Sequence, residues 1–154
     1  EFQDTPAVLA RKVQELATLI CASQHCVVYS GAGISTAAGI ADYATKSAAT
    51  VRVGDLLKQS DWPLAEPTLA HRVLCSMYDQ GLIHGWIQQN HDGLPQKAGM
   101  PVNAVTDIHG SWFDPSNPVV GFGEKLREDL FAELLAEEQR CDLCLALGTS
   151  LCDT

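Results

Sequence analysis

An open parallel α/β sheet with helices on both faces is the fold predicted for this chain, as one domain over residues 1–154. Three observations carry that expectation. A helical apolar period is followed by a short β-branched run and then a glycine turn, the order expected of an α/β chain. Further strand-length apolar runs alternate with helix-period segments. Polar or glycine motifs also fall where those strands should end, at residues 31–36, 89–92, 109–110 and 148–150. In open parallel sheets, ligands bind beyond the carboxyl ends of the strands, so the four motifs should meet at one crevice.

The elements follow in chain order. Thr5-Pro6 reads as a cap followed by proline in the first helical turn. Leu9, Val13, Leu16 and Ile20 form one apolar helix face, ending near Ser23-Gln24. Cys26-Val27-Val28-Tyr29-Ser30 reads as a buried strand. It feeds Gly31-Ala32-Gly33 and the small residues Ile34 to Gly39. Between Asp42 and Pro67 the periodicity dissolves into a loop, with a short helix around Leu56-Leu57. Glu66-Pro67-Thr68 starts a helix carrying Leu69, Val73 and Met77, with Tyr78 near its end and Gly81 after it. Ile83 to Gln88 and Val102 to Ile108 read as strands. Glu124 to Gln139 reads as a helix with Leu126, Leu130 and Leu134 on its apolar stripe. Cys141 to Leu147 is the last strand.

Charge and composition exclude several classes. Ten basic residues against 19 acidic ones give a net charge of −9. No basic cluster tracks a phosphate backbone, so direct nucleic-acid binding is not expected. No apolar run approaches the roughly 18 residues of a membrane span. The first residues, Glu1-Phe2-Gln3-Asp4, are the opposite of a basic leader. The six cysteines lie in apolar segments. The expectation is buried thiols in a reducing, intracellular setting, cytoplasmic or nuclear.

Taken singly, each motif has a plain and a functional reading. Gly31-Ala32-Gly33 is either a tight turn or a phosphate approach, with Ser35 and Thr36 as extra donors. A dinucleotide fingerprint places a third glycine where Thr36 stands; Asp55, about twenty residues on, lies in a loop context that does not suit a ribose-binding acid. Gln89-Asn90-His91-Asp92 is either Asx-turn chemistry or a donor set for a carboxamide and ribose hydroxyls. His109, at a strand end, suits a general base near neutral pH; His25, His71, His84 and His91 read as packing histidines. Cys141-x-x-Cys144 has no second pair, so no metal site is expected. Gly148-Thr149-Ser150 reads as a turn or as a phosphate or ribose contact.

Together and in order, these segments resemble the sirtuins. The matching stretches are Gly31-Ala32-Gly33-Ile34-Ser35 through Gly39-Ile40-Ala41-Asp42-Tyr43, Pro67-Thr68-x-x-His71, Gln89-Asn90-His91-Asp92-Gly93-Leu94, Ala98-Gly99-Met100-Pro101, His109-Gly110, Val120-Gly121-Phe122-Gly123-Glu124 and Gly148-Thr149-Ser150-Leu151. The resemblance implies a Rossmann-type domain that binds NAD, removes acyl groups from lysine side chains of a protein or peptide substrate, and releases nicotinamide. It also implies site roles. His109 would be the general base, acting through a ribose hydroxyl. Asn90 would orient the ribose and a water, and Asp92 would hold the nicotinamide carboxamide. The cofactor would be lined by Gly31, Ala32, Gly33, Ser35, Thr36, Asp42, Tyr43, Gln89, Gly148, Thr149 and Ser150. Val120, Phe122 and Glu124 would face the substrate. ADP-ribosyl transfer or NAD hydrolysis in the same pocket, or a non-catalytic NAD or ADP-ribose sensor, are the alternatives.

The chain departs from the family's pattern in four ways. The short stretch 111–119, without a cysteine, stands where the family carries a four-cysteine zinc module. Ala44 replaces an arginine of the NAD site. His91 replaces a small apolar residue. The residues after Leu151 do not supply the family's further strands, so a partner or a missing segment is expected to complete the sheet.

Overall fold

A computed structural model describes residues 3–41, 64–121 and 123–151. Asp42, Tyr43, Ala44, Asp55, the Leu56-Leu57 helix, Phe122 and Cys152 lie outside the described residues. The elements are α1 (Pro6–Ala22), β1 (Cys26–Ser30), α2 (Leu69–Asp79), β2 (Gly85–Gln88), α3 (Leu94–Lys97), β3 (Val105–Asp107), α4 (Glu128–Arg140) and β4 (Leu143–Leu147). Three short 3-10 turns cover Ala32–Ile34, Thr36–Ala38 and Val102–Ala104. None of the described helices is long and apolar enough to cross a membrane.

The four strands form one sheet in the order β3-β2-β1-β4, and every pairing is parallel. This is the predicted open parallel sheet. Successive strand residues face opposite sides, and both faces of β1 are covered. Cys26 and Val28 pack with Trp86 and with Leu74 and Cys75 of α2. Val27 and Ile87 pack on the other face with Ile108 and with Leu126, Leu130 and Leu134. The Rossmann-type arrangement of helices on both faces is therefore present.

Register decides where the site falls. Ser30 lies opposite both Gln88 and Leu147, and Gln88 lies opposite Asp107. All four strands thus end on one line, and Gly31, Gln89, Ile108 and Gly148 leave the sheet at the same edge.

Several expectations are corrected. The strands at residues 83 and 102 begin later, at Gly85 and Val105, because Val102–Ala104 closes a 3-10 turn. β4 likewise begins at Leu143. The last helix begins at Glu128, not Glu124. The Glu124 carboxylate instead accepts the Gly121 N–H at 2.8 Å. The apolar face of α1 predicted from Leu9, Val13 and Leu16 is present but exposed among the described residues, and α1 has no buried residue. Its carboxyl end is tied to the sheet through Asp142, which accepts the N–H groups of Gln24 (2.8 Å) and His25 (3.1 Å) and the Ser23 hydroxyl. Those bonds hold the Asp142 carboxyl down at about 2. Cys26 and Cys75 are buried, whereas Cys21 and Cys144 are exposed. In β4 the residues alternate in exposure because successive side chains face opposite sides of the sheet: Leu143, Leu145 and Leu147 pack on the Trp86 cluster, while Cys144 and Ala146 face the other side and are exposed.

Candidate active site

The Gly31 turn and the loop after β4 are pressed together. Gly33 N–H donates to the Gly148 carbonyl at 2.8 Å, and Gly31 N–H donates to the Leu147 carbonyl at 3.0 Å. A Cβ on Gly31 would stand 2.7 Å from Gln89 Oε1 and 2.9 Å from the Thr149 Cβ. A Cβ on Gly148, whose φ is +63°, would stand 2.3 Å from the Ile34 nitrogen. The glycines therefore permit three segments to touch: the turn after β1, Gln89 after β2 and Gly148-Thr149 after β4. This differs from the expected phosphate approach. The N–H groups of Gly31, Gly33, Ile34 and Ser35 are all used within the protein. The Thr36 hydroxyl likewise turns back to the Gly33 carbonyl at 3.0 Å.

Behind this contact lies a buried polar network. Ser35 is fully buried and donates to Asp92 Oδ2 at 2.6 Å. Asp92 Oδ1 accepts the Leu94 N–H at 3.0 Å. Asn90 Nδ2 donates to the Gly31 carbonyl at 3.2 Å and to the Ser35 hydroxyl at 3.1 Å, leaving its Oδ1 outside these contacts. Buried polar groups must be paired to be tolerated, and these pairings fix the rotamers of Asn90 and Asp92. Ser35, expected as a ligand donor, instead supports the two residues beside it.

His109 follows β3 and is half-buried. Its Nδ1 lies 3.2 Å from the Gln89 carbonyl oxygen. A carbonyl only accepts, so Nδ1 carries the proton and Nε2 holds the basic lone pair. Burial lowers the pKa of His109 below the ordinary 6.5, the neighbouring His91 acts in the same direction, and the Gln89 bond opposes. The ring is thus neutral at physiological pH and can accept a proton at Nε2. Val120 N–H donates to the His109 carbonyl at 2.9 Å, so the segment that begins at Val120 starts beside this base.

Two neighbours were not singled out by the sequence as site residues. His91 Nδ1 donates to the Gly110 carbonyl at 2.9 Å, and its ring lies 6.5 Å from that of His109 and 5.8 Å from that of Trp112. Tyr29 accepts the Gln89 side-chain amide on its hydroxyl at 3.0 Å. The signal for Tyr29 was its place one residue before the end of β1, facing the α4 side with Val27. A cavity of about 430 Å³ is lined by Asp92 together with α3 residues and Ser111, Phe113 and Asp114. Gly31, Asn90 and His109 are not among its walls.

The donor set has a distinct chemistry. No Lys or Arg stands at residues 31–35, 89–92, 109–110 or 148–150. Amides, hydroxyls, one buried carboxylate and one neutral imidazole suit the hydroxyls of a sugar and a carboxamide.

No protein-family model matches the chain. It is 39% identical over 115 residues to the mouse NAD-dependent protein deacetylase sirtuin-7, covering 73% of this chain and 29% of that protein. It is 38% identical over 132 residues to the Arabidopsis thaliana NAD-dependent protein deacetylase SRT1, covering 83% and 28%. Over 156 aligned residues it is 34% identical to NAD-dependent protein deacetylase 2 of Caldanaerobacter subterraneus, covering 85% and 60%. The chain therefore spans less than a third of the first two relatives. Among solved structures, Sir2Tm bound to a propionylated peptide superposes with a TM-score of 0.73 at 26% identity, covering 92% of this chain and 77% of that one. A complex of Sir2, p53 peptide and NAD+ superposes with a TM-score of 0.75 at 25% identity, with coverage of 92% and 77%. The ordered motifs, the parallel sheet whose strand ends bring them together, and these likenesses agree that the chain belongs to the sirtuin family.

Proposed function

We propose that this chain forms the catalytic core of an NAD-dependent protein lysine deacylase, which moves the acyl group of an acyl-lysine onto ADP-ribose and releases nicotinamide. The observation that carries the reading is the single-edge convergence of four strand-end segments around a neutral His109. The names of the relatives support it, since each is called an NAD-dependent protein deacetylase. So do the ligands named with the solved neighbours, an acylated peptide in one and NAD+ with a peptide in another. The partner we assign is an acylated-lysine protein or peptide, and the compartment is intracellular. The cysteine-free stretch 111–119 takes the place of a zinc module.

NAD, when bound, supplies an electrophilic ribose carbon with nicotinamide as the leaving group. The protein's part is positioning and proton handling. Asp92 and Asn90, locked through Ser35, present a carboxylate and an amide oxygen in fixed orientations, which lowers the entropic cost of alignment. His109 Nε2 accepts a proton from a ribose hydroxyl, and its tautomer is held by the Gln89 carbonyl. The resemblance gives Val120, Phe122 and Glu124 a peptide-binding role and Asp42 and Tyr43 a cofactor-binding role; of these, Val120 lies beside His109, to whose carbonyl its N–H donates. Thr149 and Ser150 supply the hydroxyls beyond the glycine turn, since the Thr36 hydroxyl is turned back to the Gly33 carbonyl.

The test is nicotinamide release from NAD with and without an acetyl-lysine peptide. Release that depends on the peptide supports deacylation. Peptide-independent release supports ADP-ribosyl transfer or NAD hydrolysis in the same site. A rise in melting temperature with NAD but no release at all supports a sensor.

The pH dependence follows from His109. Its folded pKa lies below 6.5, so the ring loses its basic lone pair only as pH falls beneath that value. The acid limb of kcat/KM reports the base of the free enzyme. Release is therefore expected to fall toward acid pH along a limb centred below pH 6.5. An acid limb centred above pH 6.5 would assign the base to another group.

A further inference from the structure

His71, in the first turn of α2, has no exposed surface. The Thr68 N–H donates to its Nδ1 at 3.2 Å. A nitrogen that accepts a main-chain proton carries none, so the ring proton sits on Nε2. That Nε2 is buried and has no hydrogen-bond partner among the described residues. A buried donor without a partner is costly, and an apolar side chain of similar size would fill the space without one. Packing alone therefore does not account for a histidine here.

The contacts of the ring show what it holds. The Thr68 hydroxyl lies 2.7 Å from Nδ1 and donates to the Ile34 carbonyl at 3.1 Å. The face of the ring stacks on Trp86, with centroids 5.9 Å apart and planes 21° from parallel. Trp86 Nε1 donates to the Ser30 hydroxyl at 2.7 Å. Ser30 and Ile34 bracket Gly31-Ala32-Gly33. His71 thus stands behind the glycine turn and reaches both of its ends through one intermediary each.

We propose that His71 is a positioning residue for the glycine turn: its Nδ1 holds Thr68 so that the Thr68 hydroxyl fixes the Ile34 carbonyl, and its ring holds Trp86 against Ser30. The turn in turn carries the Gly31 carbonyl that anchors Asn90 and the Ser35 hydroxyl that anchors Asp92. His71 therefore sets the geometry of both groups without touching a ligand. The functional side of this inference rests on the NAD reading above; its structural side does not.

Three variants test it. His71→Leu keeps apolar volume and removes the acceptor. His71→Gln restores an acceptor to the N-cap N–H, as glutamine at the third helical position does in a capping box. Thr68→Val keeps shape and removes the hydroxyl that reaches Ile34. Two readouts are taken on the whole chain: amide hydrogen exchange at residues 31–36 without ligand, and KM and kcat for NAD in nicotinamide release.

His71→Leu and Thr68→Val are expected to speed exchange at residues 31–36 about tenfold, the scale of one lost hydrogen bond, relative to β1 and β2. Both should lower kcat/KM for NAD by about tenfold or more, since the groups that bind and align NAD lose their anchors together. His71→Gln should recover most of both effects. Exchange at 31–36 that matches the unmodified chain in His71→Leu overturns the inference, as does a His71→Gln chain no better than His71→Leu. If His71→Leu does not fold, Thr68→Val decides by the same exchange readout, and unchanged exchange overturns it. If the unmodified chain releases no nicotinamide, the deacylase reading fails, while the exchange measurement still decides the role of His71.

Discussion

His109→Ala should lower peptide-dependent nicotinamide release by about 10²–10⁴-fold, the range for removal of a positioned general base. The fold should survive. His109 is half-buried, and its side chain makes one hydrogen bond, to a main-chain carbonyl that closes no other element. The stabilisation of the chain by NAD should also persist, because His109 holds neither the glycine turn nor the Asn90–Ser35–Asp92 network. Release and NAD-induced thermal shift, measured side by side, separate these effects. Undiminished release would remove His109 from the chemistry. Loss of both release and thermal shift would make it a binding group instead of a base.

The second large effect is expected at Gly148. An alanine there meets two penalties at once. Its backbone must hold a left-handed φ of +63°, and its Cβ would sit 2.3 Å from the Ile34 nitrogen and 2.8 Å from the Gly33 carbonyl carbon. The backbone term alone costs roughly 1–2 kcal/mol for a non-glycine residue. The contact cannot be relieved by a side-chain rotation, because both neighbours are main chain. The loop after β4 must therefore back away from the glycine turn. A displacement on the order of 1 Å of a positioning element costs about 10²-fold in turnover. We expect Gly148→Ala to lose both stability and release on that scale, as measured by denaturant unfolding and by the same assay. Gly81→Ala is the control. Gly81 shares a left-handed φ of +70° but meets nothing within 4 Å, so it should lose stability alone.

Much of the architecture was readable from local pattern. Cys26–Ser30 is a β-branched run between a helix end and a glycine turn, and it forms a strand over the predicted residues. The Thr5-Pro6 and Thr68 starts of α1 and α2 were equally plain, since each threonine side chain accepts a main-chain N–H of its own first turn. What failed was decided by contacts distant in sequence. Val102 and Val105 look alike as residues, yet only Val105 pairs with Trp86 in the sheet. Glu124 looks like a helix start until its carboxylate is seen to close on Gly121. α1 has a sound amphipathic period, but periodicity says only that a face is apolar and not that anything described covers it. α3 was missed although Pro95 stood in its first turn, because four residues are too few to show a period.

The site divides along the same line. His109, Asn90 and Asp92 follow strand ends as their local sequence suggests, but the roles proposed for them come from the sirtuin resemblance and not from residue type or position. The use made of Ser35 was not legible, since a hydroxyl beside a glycine turn reads equally well as a ligand donor. Its commitment to Asp92 depends on a contact 57 residues away. The same holds for His71, which the sequence offers as a packing histidine on a helix and as the end of the Pro67-Thr68-x-x-His71 match, with no role attached. Its stacking partner Trp86 and its link through Thr68 to Ile34 appear only once α2 is laid on the sheet.

In the proposed function, the segments after β1, β2, β3 and β4 bind one nicotinamide dinucleotide together. The most direct measurement is an NAD titration followed residue by residue through backbone amide chemical shifts. Gly31–Ser35, Gln89–Asp92, His109 and Gly148–Thr149 should shift along one saturation curve. Shifts limited to one of these segments, shifts centred instead on the Phe113 cavity, or none at millimolar NAD would contradict it.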